Sequence, residues 1–196
     1  MEPTTLTTAR LHLRPFVPAD ADEVYAAAQD PDVQRWTLVP SPYERVHADT
    51  FVGEISPTGW REGTGHSFAV RLGPDGPLVA AIGVHVRVVD GENGYEVGYW
   101  ATKEHRGNGY MTEALGAVAR WAFTELGAPR LEWRAEVGNA GSRAVAEKAG
   151  FRFEGLLRAG LVRAGTVRDC WIGALLPEDL GLPSRLAYLP SPSPSA

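Results

Sequence analysis

The chain has 196 residues, of which 44% are hydrophobic, and its formal net charge at pH 7 is −5. A chain of this length can bury one sizeable core, so we expect a single domain. The negative charge argues against general nucleic-acid binding and only weakly favours a cationic partner.

The composition also predicts where the protein resides. No apolar run approaches the roughly 20 residues of a membrane span, and the N-terminus lacks an apolar signal segment, so we expect no membrane association. The single cysteine, Cys170, cannot form an internal disulfide, which is typical of a reducing compartment. We therefore expect a cytoplasmic protein.

The first part of the chain predicts one strand and one helix. Residues 11–16 alternate between apolar and polar side chains, as a half-buried strand does. Pro18-Ala19-Asp20 is typical of a helix start, and the helix should run through Ala28. Asp30-Pro31 should break it and lead through a turn towards Trp36.

The next segment predicts a helix and then a loop. Residues 43–56 are expected to be helical, with Val46, Phe51 and Ile55 forming the apolar face. The glycine-containing segment 56–65, which carries Trp60, is expected to be a loop.

The rest of the chain predicts alternating strands and helices. Strands are expected at residues 66–72, 78–89, 95–100 and 130–137, helices from Met111 to Leu126 and at 140–148, and a terminal hairpin at 151–163 and 166–176. The segment 90–94 between the second and third of these strands is a hairpin signal. This order predicts a mixed sheet with helices packed on it, an α/β or α+β domain over residues 1–182. The Pro/Ser-rich residues 183–196 should be a disordered tail.

The junction between strand 95–100 and the following helix has a direct chemical interpretation. It contains Arg106-Gly107-Asn108-Gly109, a basic residue followed by two glycines. The first amides of a helix have no internal partner, and the helix dipole adds partial positive charge there. Because glycines let the backbone approach an anion closely, the segment predicts a cradle for phosphate or pyrophosphate. The alternative is an ordinary turn with a solvated Arg106.

Two familiar phosphate-binding motifs are absent from the sequence. A dinucleotide fingerprint would need glycine at the sixth position from Gly107, where Thr112 stands. A P-loop would need a Gly-Lys-Ser/Thr triplet, which does not occur.

The junction instead resembles the acyl-CoA loop of the GCN5-related N-acetyltransferases, whose pattern is Gln/Arg-x-x-Gly-x-Gly/Ala. Here it reads Arg106 to Met111, and Met111 departs from the last position. Downstream, Asn139-Ala140-Gly141-Ser142 followed by residues 147–151 resembles the second signature of the family. The Asn-x-x-Ser form resembles the branch that includes the ribosomal-protein N-terminal acetyltransferases. The resemblance covers about residues 8 to 177.

The resemblance implies a fold and a cosubstrate. The fold would be a central, mostly antiparallel sheet of about seven strands, splayed in the middle, with helices on both faces. The cosubstrate would be acetyl-CoA, with no metal. The residues implied to bind it are Tyr99, Trp100, Ala101, Arg106, Gly107, Asn108, Gly109, Tyr110, Met111, Asn139 and Ser142.

Two residues are candidates for the chemistry of acyl transfer. Glu96 lies on the strand before the loop, where a buried carboxylate would have a raised pKa suited to accepting a proton. The alternatives are a structural or exposed Glu96 and an ordered water as the base. Many relatives carry a tyrosine four residues after the position of Ser142, and it protonates the departing sulfur. This chain has Ala146 there, so Ser142 is the candidate to hydrogen-bond the departing thiolate. Asn139 fits a helix cap equally well.

The other reactive residues are expected to be structural. Cys170 has no catalytic signature, and the five histidines show no metal-ligand spacing, although His105 could contact CoA phosphates. The segments that carry Trp36 and Trp60 are where we expect the acceptor to be selected.

These observations together predict an N-acetyltransferase that acts by direct transfer. The acceptor would be a primary amine, either a protein N-terminus or a small molecule, and the protein a monomer or homodimer. The alternatives are a non-catalytic acyl-CoA-binding or sensing module and a transferase that uses a larger donor such as succinyl-CoA.

Overall fold

The structure is a computed structural model that describes residues 2–89, 91–163 and 165–190. Its strands are β1 (Leu6–Thr7), β2 (Leu11–Pro15), β3 (Gly65–Leu72), β4 (Leu78–Val89), β5 (Glu92–Ala101), β6 (Leu131–Glu136), β7 (Arg152–Arg163) and β8 (Thr166–Leu175). Its helices are α1 (Ala21–Ala28), α2 (Pro31–Trp36), α3 (Arg45–Thr50), α4 (Ser56–Glu62), α5 (Tyr110–Trp121) and α6 (Ala140–Lys148).

The eight strands form one sheet in the order β1-β2-β3-β4-β5-β6-β8-β7. All neighbours are antiparallel except β5 and β6, which run parallel. The mixed, mostly antiparallel fold is therefore confirmed. The strand beyond the expected seven is the two-residue β1, which pairs with β2 at Leu6–Leu13 and Thr7–His12 and is too short for a sequence pattern.

Alternation along the strands divides the apolar residues between the two faces of the sheet. The larger core lies under α5, where Leu115 and Val118 join Phe68, Ile82 and Leu131 of the strands. The smaller core lies on the opposite face, where α1 and α3 cover the strands at their β2–β4 end. The rest of that second face, at β5 and β6, carries charged side chains.

The turn expected after Asp30-Pro31 is instead the short helix α2. Asp30 is its N-cap, and its side chain accepts a hydrogen bond from the amide of Asp32 at 3.0 Å. Proline is compatible with the first helical position because its missing N–H would have no partner there. Asp30 and Pro31, which follow the end of α1, therefore begin the next helix.

The expectation for residues 43–65 was wrong in two respects. Val46 and Ile55 are 56% and 58% exposed, while Trp60 is only 1% exposed, within the core. From α3 the chain continues through a wide π turn at Phe51–Ile55 into α4, so no loop carries Trp60. Gly59 permits this helix, because a Cβ there would lie 2.5 Å from the carbonyl oxygen of Gly65.

The predicted tail is only partly described. Residues 183–190 contain no helix or strand, and Arg185 donates to the carbonyl of Thr124 at 3.0 Å. Residues 191–196 lie outside the described residues, as does Asp90 of the predicted hairpin turn. The tail's disorder stays a prediction. In the described ranges, none of the helices has the length and apolarity that crossing a membrane requires.

Candidate active site

The two parallel strands at the centre of the sheet separate halfway along their length. β5 and β6 pair at Tyr95–Leu131, Glu96–Glu132 and Val97–Trp133, and the pairing stops there. Both strands continue, β5 to Ala101 and β6 to Glu136, each still paired with its other neighbour. A wedge-shaped opening therefore lies in the middle of the sheet, at the C-terminal ends of β5 and β6.

The backbone of β5 presents polar groups to this opening. The amide of Thr102 donates to the carbonyl of Val79 at 3.0 Å, so it faces β4. Because the backbone groups of successive strand residues point to opposite sides, the amides of Tyr99 and Ala101 face the opening. The prediction also included Trp100, but this alternation directs its amide towards β4.

The predicted phosphate loop lies directly beyond the open end of β5. Gly107 and Gly109 have φ angles of 79° and 77°, the left-handed region that glycine adopts without strain. Helix α5 starts at Tyr110 with no side-chain cap. Within the described part of the chain, the amides of residues 110–112 have no hydrogen-bond acceptor. The loop therefore ends in a set of unpaired N–H donors, as an anion site requires.

Arg106, predicted to bind phosphate or to be solvated, has protein partners. Its guanidinium contacts Asp30 at 2.5 Å and Asp32 at 3.0 Å, and it donates to the carbonyl of Ala101 at 3.2 and 3.3 Å. The side chain thus joins the loop to the start of α2 and covers one polar group of the opening. Its contact with a phosphate stays a prediction.

Arg10 is a second cation at this loop, and no pattern in the sequence indicated it. Its guanidinium donates to the carbonyl of Asn108 at 3.1 Å and pairs with Glu113 of α5 at 2.6 Å. It also lies 4.6 Å from the ring centre of Tyr110. Because 98 residues separate Arg10 from Asn108, only the pairing of β2 within the sheet brings them together.

A hydroxyl network lies across the opening from the loop. The side chain of Asn139 accepts from the amide of Ser142 at 3.1 Å, which confirms the capping role. The Ser142 hydroxyl accepts from the indole N–H of Trp133 at 2.9 Å and lies 3.3 Å from the Tyr99 hydroxyl. The Tyr99 hydroxyl itself donates to the backbone carbonyl of Ser142 at 2.9 Å.

Burial keeps the Tyr99 phenol in this network protonated. It raises the pKa of Tyr99 well above its ordinary value, although hydrogen bonds from Ser142 and Trp133 oppose the rise. The sequence contained no signal for Tyr99 or Trp133 as side-chain partners of Ser142. Their spacing becomes meaningful only when β5, β6 and α6 meet.

Glu96 lies on the opposite face of β5 from this network, and its side chain is half-buried. One carboxylate oxygen, Oε2, lies 3.1 Å from Arg87 and 3.9 Å from Arg134. Burial raises the pKa of Glu96 above its ordinary value, and the two guanidinium groups oppose that rise. The carboxylate is therefore in contact with charged partners and only partly exposed to solvent on the second face.

Helix α2 closes the second-face side of the opening. Its Arg35 forms two hydrogen bonds to Glu136 at the end of β6, at 2.7 and 2.8 Å. The ring of Trp36 lies against Gly138, 3.6 Å from where a Cβ would stand. Because Arg106 holds the other end of the helix, α2 spans the separated ends of β5 and β6. Trp36 thus borders the opening, whereas the buried Trp60 does not.

Two other reactive residues, Cys170 and His105, have partners within the protein, and the contact of His105 with CoA phosphates stays a prediction. Cys170 is fully buried, which raises the pKa of its thiol, and it donates to the carbonyl of Trp171. The ring of His105 is 2.8 Å from the hydroxyl of Thr102 within its own loop. No group of three or more potential metal ligands occurs among residues 2–89, 91–163 and 165–190.

Comparison with known proteins gives a consistent set of similarities. Residues 10–152 match the family model described as "Acetyltransferase (GNAT) domain". The "Putative ribosomal N-acetyltransferase YdaF" of Bacillus subtilis is 36% identical over 134 residues, which are 67% of this chain and 72% of that protein. "Mycobacterium smegmatis RimJ in complex with CoA-disulfide" has a TM-score of 0.77 at 28% identity and covers 92% of both chains.

A further solved structure supports the fold alone. The solved structure described as "a putative ribosomal-protein-serine acetyltransferase from Vibrio cholerae" superposes with a TM-score of 0.79 at 24% identity. It covers 90% of this chain and 100% of that one.

Proposed function

The chain belongs to the acetyltransferase (GNAT) family, and from that premise we propose that it moves an acetyl group from acetyl-CoA to a primary amine. The observation that carries the proposal is the wedge between β5 and β6, which ends in unpaired amides at the start of α5. Coenzyme A fits both features, because its diphosphate is anionic and its pantetheine arm is long and polar. The transfer is direct, with no covalent enzyme intermediate.

The diphosphate of coenzyme A would bind at the loop of residues 106–111. Left-handed Gly107 and Gly109 leave room for close approach, and the amides at the start of α5 supply donors and positive potential. Arg10 and Arg106 add two cations beside the loop. The pantetheine arm would then pair with the backbone of Tyr99 and Ala101 as an added strand does.

The thioester would lie in the wedge, between β5 and the hydroxyl network. An amide of β5 that faces the wedge can donate to the thioester oxygen as the tetrahedral oxyanion forms. The hydroxyls of Ser142 and Tyr99 can hydrogen-bond the departing thiolate. Serine is a poor acid, so stabilisation of the thiolate by hydrogen bonds is the role assigned to Ser142.

The amine acceptor would approach from the second face of the sheet, beside α2. Glu96 supplies a carboxylate there that attracts an ammonium group and can take up its proton. The name of YdaF, which describes a ribosomal N-acetyltransferase, supports a protein N-terminus as the acceptor class. A small-molecule amine is the second class to test.

Calorimetric titration with acetyl-CoA and an assay of free-thiol release test this function together. We expect saturable binding, followed by thiol release on addition of peptides with free N-termini or of a small-amine panel. Absence of binding at millimolar acetyl-CoA would refute the proposal. Binding without turnover on any amine would instead favour an acyl-CoA-sensing module. A preference for succinyl-CoA over acetyl-CoA would identify a larger donor.

A further inference from the structure

His85 and Glu96 are direct cross-strand partners on the second face of the sheet, and their side chains lean in opposite directions. Glu96 reaches towards Arg87, which pairs with Gly94 further back along β5. The imidazole of His85 instead lies over Gly98, with Nε2 3.5 Å and Cδ2 3.8 Å from where a Cβ would stand. Of the two side chains, the imidazole is therefore the one directed towards the wedge.

Gly98 leaves the space that the imidazole occupies. It immediately precedes Tyr99, whose amide faces the wedge where the thioester would bind. Gly83 stands directly opposite Gly98 on β4, so neither position of this pair carries a side chain beside the ring. His85 is exposed to solvent, and within the described residues its ring makes no hydrogen bond. Nε2 is thus free to meet an incoming ligand.

We propose that His85 is a further catalytic residue, which takes the proton from the acceptor ammonium in place of Glu96, while Glu96 holds that ammonium by its charge. The inference rests on the proposed function, because it needs an acetyl-CoA thioester at the Tyr99 amide. Neither the phosphate loop nor the hydroxyl network contributes to it.

An acceptor that arrives as an ammonium ion must lose a proton before its nitrogen can attack the thioester. Nε2 of neutral His85 accepts one proton, and the freed amine lone pair forms a bond to the thioester carbonyl carbon. The carbon–sulfur bond then breaks, and the nitrogen's second proton passes to the departing thiolate. The products are the amide, free CoA and one proton, which the solvent-exposed imidazole returns to water.

The electrostatic surroundings suit this role. Partial desolvation of the ring where it lies on the sheet and the charge of nearby Arg87 lower the pKa of His85, so the imidazole is neutral at pH 7. The charged groups on the same face of the neighbouring strands are Arg87 on β4, Glu96 on β5, and Glu132 and Arg134 on β6. On the β3 side its partner is Gly65, which carries no charge. A neutral imidazole has a free lone pair on its unprotonated ring nitrogen, which can accept a proton from an α-ammonium.

Proximity to the thioester can be tested without knowing the acceptor. We would follow the five histidine Cε1–H signals by NMR, assign His85 from the His85→Gln variant, and titrate with acetyl-CoA and with CoA. The His85 signal should shift, and by more with acetyl-CoA than with CoA, while the His12 signal on β2 stays in place. If calorimetry shows bound acetyl-CoA but the His85 signal does not move, the inference is wrong. If acetyl-CoA does not bind at all, the proposed function itself fails.

Kinetics with the best amine from the panel test the proton transfer. His85→Ala should lower kcat/KM for the amine by roughly 10²- to 10⁴-fold, with unchanged affinity for acetyl-CoA. Imidazole added to the buffer should restore part of the rate in this variant but not in Glu96→Gln. The control His12→Ala should behave as the wild type. Retention of the acidic limb of the wild-type pH–rate profile in His85→Gln would overturn the assignment.

Discussion

The guanidinium of Arg106 and the carboxylate of Asp30 form an ion pair, with Nη2 and Oδ2 2.5 Å apart, that joins the phosphate loop to helix α2. Asp32 adds a second contact at 3.0 Å. The guanidinium of Arg106, beside the proposed diphosphate site, is therefore shared with a pair of carboxylates. Since Arg35 and Glu136 hold the other end of α2 to β6, this helix connects the loop of residues 106–111 with the end of β6.

Asp30→Asn should tighten acetyl-CoA binding by about fivefold, equivalent to about 1 kcal/mol, because it removes a negative charge that competes for Arg106. Asparagine is an equally good N-cap, so α2 should keep its start. Calorimetry at two salt concentrations would measure the change, which should be larger at low salt. Asp49→Asn, which alters an exposed aspartate paired with Arg45 on α3, is the matched control. Equal affinities for both variants would contradict the competition.

Gly109→Ala should weaken acetyl-CoA binding by at least tenfold, about 1.4 kcal/mol, because a side chain would narrow the approach of the diphosphate to the amides. Gly63→Ala is the matched control, since Gly63 has a φ of 72° and lies at the end of α4. Both variants should lose a similar roughly 1–2 kcal/mol of unfolding free energy from left-handed strain. Urea unfolding and calorimetry separate the two effects. An equal loss of affinity in both variants would mean that the cradle lies elsewhere.

How well the sequence predicted each part of this structure depends on how far apart in the chain the interacting residues lie. The strands β3 to β6, helix α6 and the loop between β5 and α5 follow from local alternation, helix periodicity and glycine positions. The burial of Trp60 does not, because it depends on the close approach of Gly59 to Gly65 and on an aromatic cluster with Phe68 and Trp121.

The same distinction holds within the site. Asn139 could be predicted as a cap because its partner is three residues away. The ion pair of Arg106 with Asp30 and the hydrogen bond between Trp133 and Ser142 could not, since each needs two elements that meet only in the folded sheet. Local sequence thus predicted the glycine-containing loop between β5 and α5 but not the side chains that contact it.

His66 should make the protein less stable as the pH falls from about 6.5 to 5. It is buried between Trp60 and Trp121, and within the described residues neither of its ring nitrogens has a hydrogen-bond partner. Burial lowers the pKa of His66 in the folded state. Below the unfolded value near 6.5 the unfolded chain therefore binds the extra proton. The stabilisation is complete above that value and is lost as the pH falls towards the folded pKa.

The measurement is the free energy of unfolding in urea for wild type and His66→Leu between pH 5 and 7.5. The difference between the two proteins should change by up to about 1.4 kcal/mol per pH unit below 6.5 and stay constant above it. The titration of His85 remains in both proteins and cancels in the difference. Parallel stability curves across this range would show that His66 does not titrate as described.

Tyr99→Phe and Ser142→Ala should each lower kcat by about tenfold, or about 1.4 kcal/mol of transition-state stabilisation, with little change in acetyl-CoA affinity. The reason is the shared network, in which the Tyr99 hydroxyl and the Ser142 hydroxyl lie 3.3 Å apart and Trp133 donates to Ser142. In the proposed mechanism the two hydroxyls act on the same departing thiolate. The double variant should therefore lose much less than the hundredfold that independent effects would give.

Tyr95→Phe is the matched control for this cycle. Tyr95 lies four residues earlier on the same face of β5, and its hydroxyl only approaches the carbonyl of Leu126 at 3.5 Å. The kcat of Tyr95→Phe should equal that of the wild type. An effect of Tyr99→Phe could then not be explained by the mere loss of a phenol hydroxyl from β5. Thiol-release kinetics at saturating acetyl-CoA give the four rates of the cycle. If the losses from Tyr99 and Ser142 multiply instead, the two hydroxyls stabilise different groups, and Ser142 does not share the sulfur with Tyr99.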